Sequence, residues 1–365
     1  MPLLATGQIE GLGARARFSV ASATQGAHSF SFTPGPTGHA EAVQAILAWM
    51  NQVFAGARLA AVSHRVVHGG TDHVAPTLIS DALMAQLERL VPLAPLHQPH
   101  NLAGIQAARA SFPGVPQIVC FDTAFHRHHT FVADTFALPR SYYDEGIRRY
   151  GFHGLSYEFI ARRLSVYDPV LGHGRVIVAH LGNGASMCAM RDGRSVASTM
   201  GFTALDGLPM GTRCGQMDPG VVLYLMAEKG MSAAAISDLL YKQSGLKGLS
   251  GLTHDVRTLQ ASDSAEARDA LSYFADRARR EIGGLTTCLG GLDALVLTGG
   301  IGENAAAVRA AMLTDMGWMG IHINAEANLR NDTVISDPTS RVRVLVFKTD
   351  EERMLAEHAT ELLTL

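Results

Sequence analysis

Short apolar runs alternate with amphipathic stretches along this chain. Residues 59–67, 117–121, 294–298 and 341–347 form short largely apolar runs, and Val176, Ile177 and Val178 a β-branched one. They read as buried strands. Residues 41–54 carry Val43, Ile46, Leu47, Met50 and Phe54 on one helical stripe. Ser80 is placed to cap a helix bearing Leu83, Leu87 and Leu90. Further helices are predicted over 101–110, 156–164, 265–289 and 304–314. Another starts at Asp218-Pro219 and stops at Gly230. Thr349 and Glu352 have capping-box spacing for a last helix. Residues 3–9 and 16–20 read as edge strands and 26–38, rich in Gly, Pro, Ser and Thr, as a loop. Strands followed by helices in both halves predict an α/β fold with two sheets.

The stretch Arg175–Ser186, RVIVAHLGNGAS, is the most informative. It reads as a strand, a turn at Leu181-Gly182-Asn183-Gly184, and a returning strand. Glycines there let backbone N–H groups approach a phosphate closely. An ordinary hairpin has the same pattern, so the stretch needs support from elsewhere.

Length and composition narrow the field. At 365 residues the chain is long for one domain and comfortable for two. A net charge of −3 gives no electrostatic reason to expect nucleic acid or an acidic membrane as partner. The four cysteines, Cys120, Cys188, Cys214 and Cys288, are widely spaced and read as buried thiols in a reducing compartment. No apolar run is long enough to span a bilayer, and the first residues lack the layout of a signal peptide. A cytoplasmic protein is expected.

Glycine turns follow strands at Gly69-Gly70, at Gly182–Gly184 and at Gly299–Gly302. No GxxxxGK[ST] is present, so a P-loop is excluded. Arg65 ends a strand and Arg213 lies in a glycine-rich loop; each could fork onto a carboxylate or phosphate, or equally form a structural ion pair. Asp122 stands at a strand's carboxyl end, where open α/β sheets place functional groups, though a turn or cap residue stands there too. Glu351 in a first helical turn also offsets the macrodipole. His153 sits between glycines before a helix. His126, His128 and His129 lack ligand-spaced partners and read as hydrogen-bonded or solvated rather than metal-binding.

Together these stretches resemble the acetate kinase family. The carrying segments are HRVVHGG (64–70), APLHQPHN (94–101), FDTAFH (121–126), RRYGFHG (148–154), HLGNGAS (180–186), MGFTALDGLPMGTRCGQMDPG (200–220), GGIGEN (299–304) and TDEE (349–352), in the family's order. The resemblance implies two ribonuclease H-like domains of the acetate and sugar kinase, heat-shock ATPase and actin superfamily, around a cleft. Their expected extents are 1–122 plus 352–365, and 123–351. It implies a homodimer that transfers the γ-phosphoryl of ATP to acetate, reversibly and in line, giving acetyl phosphate and ADP with Mg²⁺, or Mn²⁺ in its place. Arg65 and Arg213 would hold the carboxylate and flank the phosphoryl, with His153 donating to it and, like Arg213, stabilising the transition state. Asp122 and Glu351 would bear on Mg²⁺ and alignment. Val67, Leu96 and Phe152 would line a methyl pocket. His180, Leu181, Gly182, Asn183, Gly184, Asp255, Val256, Arg257, Gly300, Ile301, Gly302 and Asn304 would meet the nucleotide.

Several positions depart from the family pattern. The family's opening strand and N-x-G-S-S-S-x-K phosphate loop have no counterpart here, which points either to a start further upstream or to a shortened, catalytically impaired nucleotide-binding form. Ala204 stands where the family usually has proline, which widens the methyl pocket and makes propionate or another short-chain carboxylate an alternative substrate. Tyr157 stands in place of a second histidine, Leu155 of a threonine and Asp350 of an asparagine. An NAD-dependent oxidoreductase is the competing reading, from Gly300-x-Gly302-x-x-Ala305 after a strand and Glu326 near the spacing of a ribose-binding acid.

Overall fold

The structure is a computed structural model and describes residues 2–12, 16–22, 26–31, 38–95 and 97–364. Leu96, expected in the methyl pocket, lies outside them. The chain divides into two compact units. One comprises Met1–Val66, Pro76–Cys120 and Ala359–Leu365; the other comprises Val67–Ala75 and Phe121–His358.

The first unit holds two three-stranded sheets. β1 (Ala5–Glu10), β2 (Arg17–Ser22) and β3 (Gly26–Ser31) form an antiparallel meander. The expected loop over 26–38 is therefore wrong at its start. Phe30 pairs with Phe18 across β2, rings 5.9 Å apart, and that cross-strand contact holds an otherwise exposed edge in register. Phe18 also meets Trp49 of the helix His39–Val53, edge to face. β4 (Val62–Val66), β5 (Thr77–Leu78) and β6 (Gln117–Phe121) are ordered β4-β6-β5. Ser80 caps the helix Asp81–Arg89, its hydroxyl accepting from Leu83 N at 3.1 Å.

The second unit is built on a five-stranded sheet ordered β11-β10-β7-β8-β9. β7 (Arg175–Leu181), β8 (Ala185–Arg191) and β9 (Arg194–Ser198) are antiparallel; β10 (Ala294–Thr298) and β11 (Arg343–Val346) run parallel to β7. β10 is buried throughout and β7 nearly so, as expected of strands covered on both faces. One face carries Val176, Val178, Cys188, Met190 and Val296 against Tyr157, Ile160, Ala161 and Leu164 of the helix Gly154–Tyr167. By alternation Ile177, Ala179, Met187 and Ala189 turn the other way, where the helix Ala265–Leu289 lies across β7, β8 and β9.

Two local expectations are corrected. Gly299–Gly302 is no free turn: helix begins at Gly299 itself, as Gly299–Asn304, followed by Ala306–Leu313. Gly299 has φ 77°, and a Cβ there would press on the backbone of Leu181, so the position requires glycine. Thr349 does not form the capping box; Asp350 accepts from Arg353 N at 2.9 Å instead, and the Thr349 hydroxyl pairs with Ser156. All four cysteines are free; Cys120 and Cys188 are buried, but Cys214 is half-buried and Cys288 exposed. Among the described residues no helix is long and apolar enough to cross a membrane.

Candidate active site

The second unit gathers most of the expected site residues at the ends of β7 and β8. His153 precedes the helix Gly154–Tyr167 with φ 59° and ψ 25°, a left-handed backbone costly for a residue with a Cβ. Three contacts hold it there. Its Nδ1 lies 2.8 Å from Ser186 Oγ at the start of β8. Its ring stacks on His180 of β7, centroids 4.3 Å apart. The next amide, Gly154 N, donates to the Asp122 carbonyl at 2.9 Å.

Gly184 ties His153 and Arg213 together. A Cβ on Gly184 would stand 3.2 Å from His153 Nε2 and 3.8 Å from Arg213 Nη1. Both donors therefore face one glycine, and no more than the sum of those distances separates them. Arg213 Nη1 donates to the Ala204 carbonyl at 3.2 Å. Its loop is pinned by Gly211 N donating to Asn183 O at 3.1 Å and by Met210 N donating to Arg213 O at 3.1 Å. Gly245, φ 62°, packs against that loop where a Cβ would overlap the Met210 carbonyl.

Phe152 is buried, and His68, next to Val67, packs edge-on against Tyr150 and Phe152. Val67 is itself buried. Burial, helped by the nearby Arg127 guanidinium, lowers His68 to about 3, so this ring is neutral. Arg149 reaches Asp206 at 2.9 Å, and Tyr150 N donates to Gly201 O, joining the 148–154 and 199–206 loops. Arg65 lies on β4 of the first unit and is described there alone.

Asp122 is buried at the end of β6, beneath Gly154. Glu351 opens the helix Glu351–Leu363, and its charge acts on the Tyr157 phenol, which places it near the His153 cluster. Their carboxylate oxygens are the hard donors Mg²⁺ prefers. Among the described residues no three His, Cys, Asp or Glu side chains converge on one point. An ion held by one or two carboxylates together with phosphate oxygens and water requires no such cage, so the donor set fits.

A cavity of about 450 Å³ opens beside this cluster, a size suited to a small ligand. Gly182, Asn183, Asp255, Val256 and Arg257 form one part of its wall. Gly300, Ile301, Asn304 and Ala305 form another, with His254 and Gln260, which the sequence did not single out. His254 stands against Gly211 and Asn183 through backbone folding alone, so no sequence spacing betrays it. Arg257 donates to Asp255 at 2.8 Å and holds that carboxyl well below the usual range. His180, Leu181, Gly184 and Gly302 stand outside this wall: His180 stacks on His153, Gly184 faces it, and Leu181 and Gly302 are buried behind.

Arg309 is another residue the sequence did not reveal. It is fully buried with no carboxylate partner among the described residues and donates to Gly302 O at 3.0 Å, to Asn328 and to Asn331. It fixes the segment that carries Gly300 and Ile301. His126 and His129 both meet Ser195 Oγ, at 2.8 and 2.7 Å, so the histidine cluster is hydrogen-bonded. His126 Nε2 also meets the Phe152 carbonyl at 3.0 Å. Glu326, the candidate ribose-binding acid, is exposed on the short helix Ala325–Leu329 and lies outside the cavity wall.

Comparison with known proteins follows the same lines. Residues 3–357 match the Acetokinase family. The acetate kinase of Methylocella silvestris is 61% identical over 325 residues, covering 89% of this chain and 80% of its own length. That of Rhodopseudomonas palustris is 49% identical over 363 residues, covering 99% and 91%. Among solved structures, Porphyromonas gingivalis acetate kinase superposes with a TM-score of 0.89 at 36% identity, over 99% of this chain and 94% of that one. A propionate kinase from Francisella tularensis gives 0.92 at 32% identity, over 97% and 92%.

Proposed function

The chain belongs to the Acetokinase family, and from that premise we propose that it transfers the γ-phosphoryl group of ATP to acetate, reversibly, giving acetyl phosphate and ADP. The observation that carries this reading is the 182–184 turn. Gly182 and Asn183 line the cavity, while Gly184 faces His153 and Arg213. A nucleotide in the cavity would run its phosphates along that turn toward the two donors.

Phosphoryl transfer needs little covalent help; it needs alignment and neutralisation of charge on the equatorial oxygens. Arg213 supplies a fixed guanidinium. His153 supplies an imidazole N–H that faces the same glycine. Arg65 grips the acetate carboxylate, and Val67 and Phe152 shape an apolar wall for its methyl group. Asp122 and Glu351 would hold Mg²⁺, which when bound offsets phosphate charge. Asp255, Arg257, Gly300 and Ile301 receive the adenosine end. We assign the two units to the two ribonuclease H-like domains.

One observation favours a second acyl chain. Ala204, whose carbonyl accepts from Arg213, is smaller than the proline that the resemblance implies there, and on this reading a longer acyl chain fits. Propionate is the second substrate.

The helix Pro219–Ala227 supports a homodimer. Val221, Leu223, Tyr224 and Met226 are all exposed on it, an apolar surface of the kind that marks an interface. The near-neutral balance of charges gives no electrostatic support for a nucleic-acid partner, and a cytoplasmic location is part of the same proposal.

Hydroxamate formation from ATP, acetate, Mg²⁺ and hydroxylamine tests the reading. Product requiring all of them is expected. Nicotinamide-dependent absorbance change with small alcohols, and no hydroxamate, would reverse it in favour of an oxidoreductase.

A further inference from the structure

We infer that Tyr157 is a positioning residue: acting through Ser186, it sets the tautomer of His153 so that Nε2 carries the ring proton toward Gly184 and Arg213. The inference rests on the proposed role of His153 only in its kinetic arm.

Three groups stand in a row. The Tyr157 hydroxyl meets Ser186 Oγ in a short contact, and Ser186 Oγ meets His153 Nδ1 at 2.8 Å. Tyr157 is fully buried between the helix Gly154–Tyr167 and β8. Its ring lies against Phe125 and His126, neither of which takes its proton.

Counting protons settles the direction. A buried phenol that donates to nothing bears the full desolvation cost of its O–H. Ser186 Oγ is the acceptor in reach, so Tyr157 donates to it. Ser186 has one proton of its own, and the remaining partner is His153 Nδ1. Nδ1 therefore accepts, and a neutral ring must carry its proton on Nε2. The reverse arrangement, Nδ1–H to Ser186 and Ser186 to the phenol oxygen, leaves the Tyr157 proton with no acceptor among the described residues.

The surroundings keep the donor a donor. Burial raises the Tyr157 phenol well above its ordinary value, and the charge of Glu351 acts the same way. The phenol thus stays protonated throughout the range in which an imidazole titrates. A histidine or water at this place could donate or accept, and would leave the His153 tautomer open.

The test is ¹⁵N NMR of the full chain labelled at histidine, near pH 8 where unperturbed imidazoles are neutral, without substrates. The His153 signals are identified by their loss in His153→Gln. The wild type is expected to show one tautomer, protonated on Nε2. Tyr157→Phe keeps the ring and removes the proton source, and is expected to give mixed tautomers. Its kcat should fall about five- to tenfold, the effect of one hydrogen bond, with KM for ATP and acetate unchanged within about twofold. Ser186→Ala is expected to mix the tautomers likewise, and decides the matter if Tyr157→Phe does not fold. His153 protonated on Nδ1 in the wild type, or a single unchanged tautomer in both variants, would overturn the inference. A chain with the expected tautomer that forms no acyl phosphate would instead overturn the kinase reading.

Discussion

The Nε2 atom of His153 lies 3.2 Å from the point a Cβ would occupy on Gly184. That spacing is tighter than ordinary van der Waals contact, so a side chain there would push on the imidazole. The turn is bare where the imidazole faces it, so a phosphate oxygen can reach the ring. Gly184→Ala should fold, since its φ is not in the left-handed region, yet lose on the order of 10² in kcat by displacing the phosphoryl from His153. Steady-state kinetics beside a thermal melt separates the two effects.

Arg213 brings its Nη1 to 3.8 Å from that same point on Gly184. Its replacement by alanine removes charge that matters most in the transition state. Turnover should fall on the order of 10³, and the same holds for Arg65→Ala, by the scale of other arginines that stabilise a transferring phosphoryl. Saturating ATP and acetate should restore neither.

Ala204 bears on acyl-chain choice. Its carbonyl, not its N–H, receives Arg213, so Ala204→Pro preserves that contact. The substitution should lower the ratio of kcat/KM for propionate over acetate by about tenfold, the scale of one methylene in an apolar pocket. Competition between the two acids measures it.

Acid should weaken the second unit through its buried histidines. Burial lowers His129 to about 4 from 6.5, with the Arg127 charge adding to it, and lowers His126 too. Each binds a proton more weakly folded than unfolded. Stability is whole above 6.5 and is lost as pH falls from there toward 4, where the unfolded state alone takes up the proton. The melting temperature should drop by several degrees between pH 7.5 and about 5, and drop less in His129→Gln.

Dimerisation should depend on the helix Pro219–Ala227. Leu223 is 66% exposed there. Leu223→Glu places a charge in an apolar interface and should yield monomers in analytical ultracentrifugation, with the wild type remaining dimeric.

The elements most legible in the sequence were those whose own pattern decides them. The helix Ala265–Leu289 has a capping serine at Ser264 and an unbroken apolar stripe, and β10 is a short apolar run closed by glycines. β3 was hidden because Gly26–Ser31 carries turn-forming residues and is held as a strand by pairing with β2. The end of β10 misled because Gly299 enters a helix directly, its left-handed φ imposed by the nearby Leu181 backbone. At the site, the glycine turns and the residues of the family motifs could be read in advance. Ser186 as the partner of His153, His254 in the cavity wall and Arg309 beneath Gly302 could not, because tertiary folding alone brings them there.

The central claim is that an imidazole and a guanidinium facing one bare turn neutralise a phosphoryl group passing between ADP and a small carboxylate. The most direct measurement is the single-turnover rate of acyl phosphate formation by wild type, His153→Ala, Arg213→Ala and the double variant, all at saturating nucleotide and acetate. The account predicts a large loss in each single variant and a double loss smaller than the product of the two, because both act on the same oxygens. Wild-type rates in both single variants would contradict it.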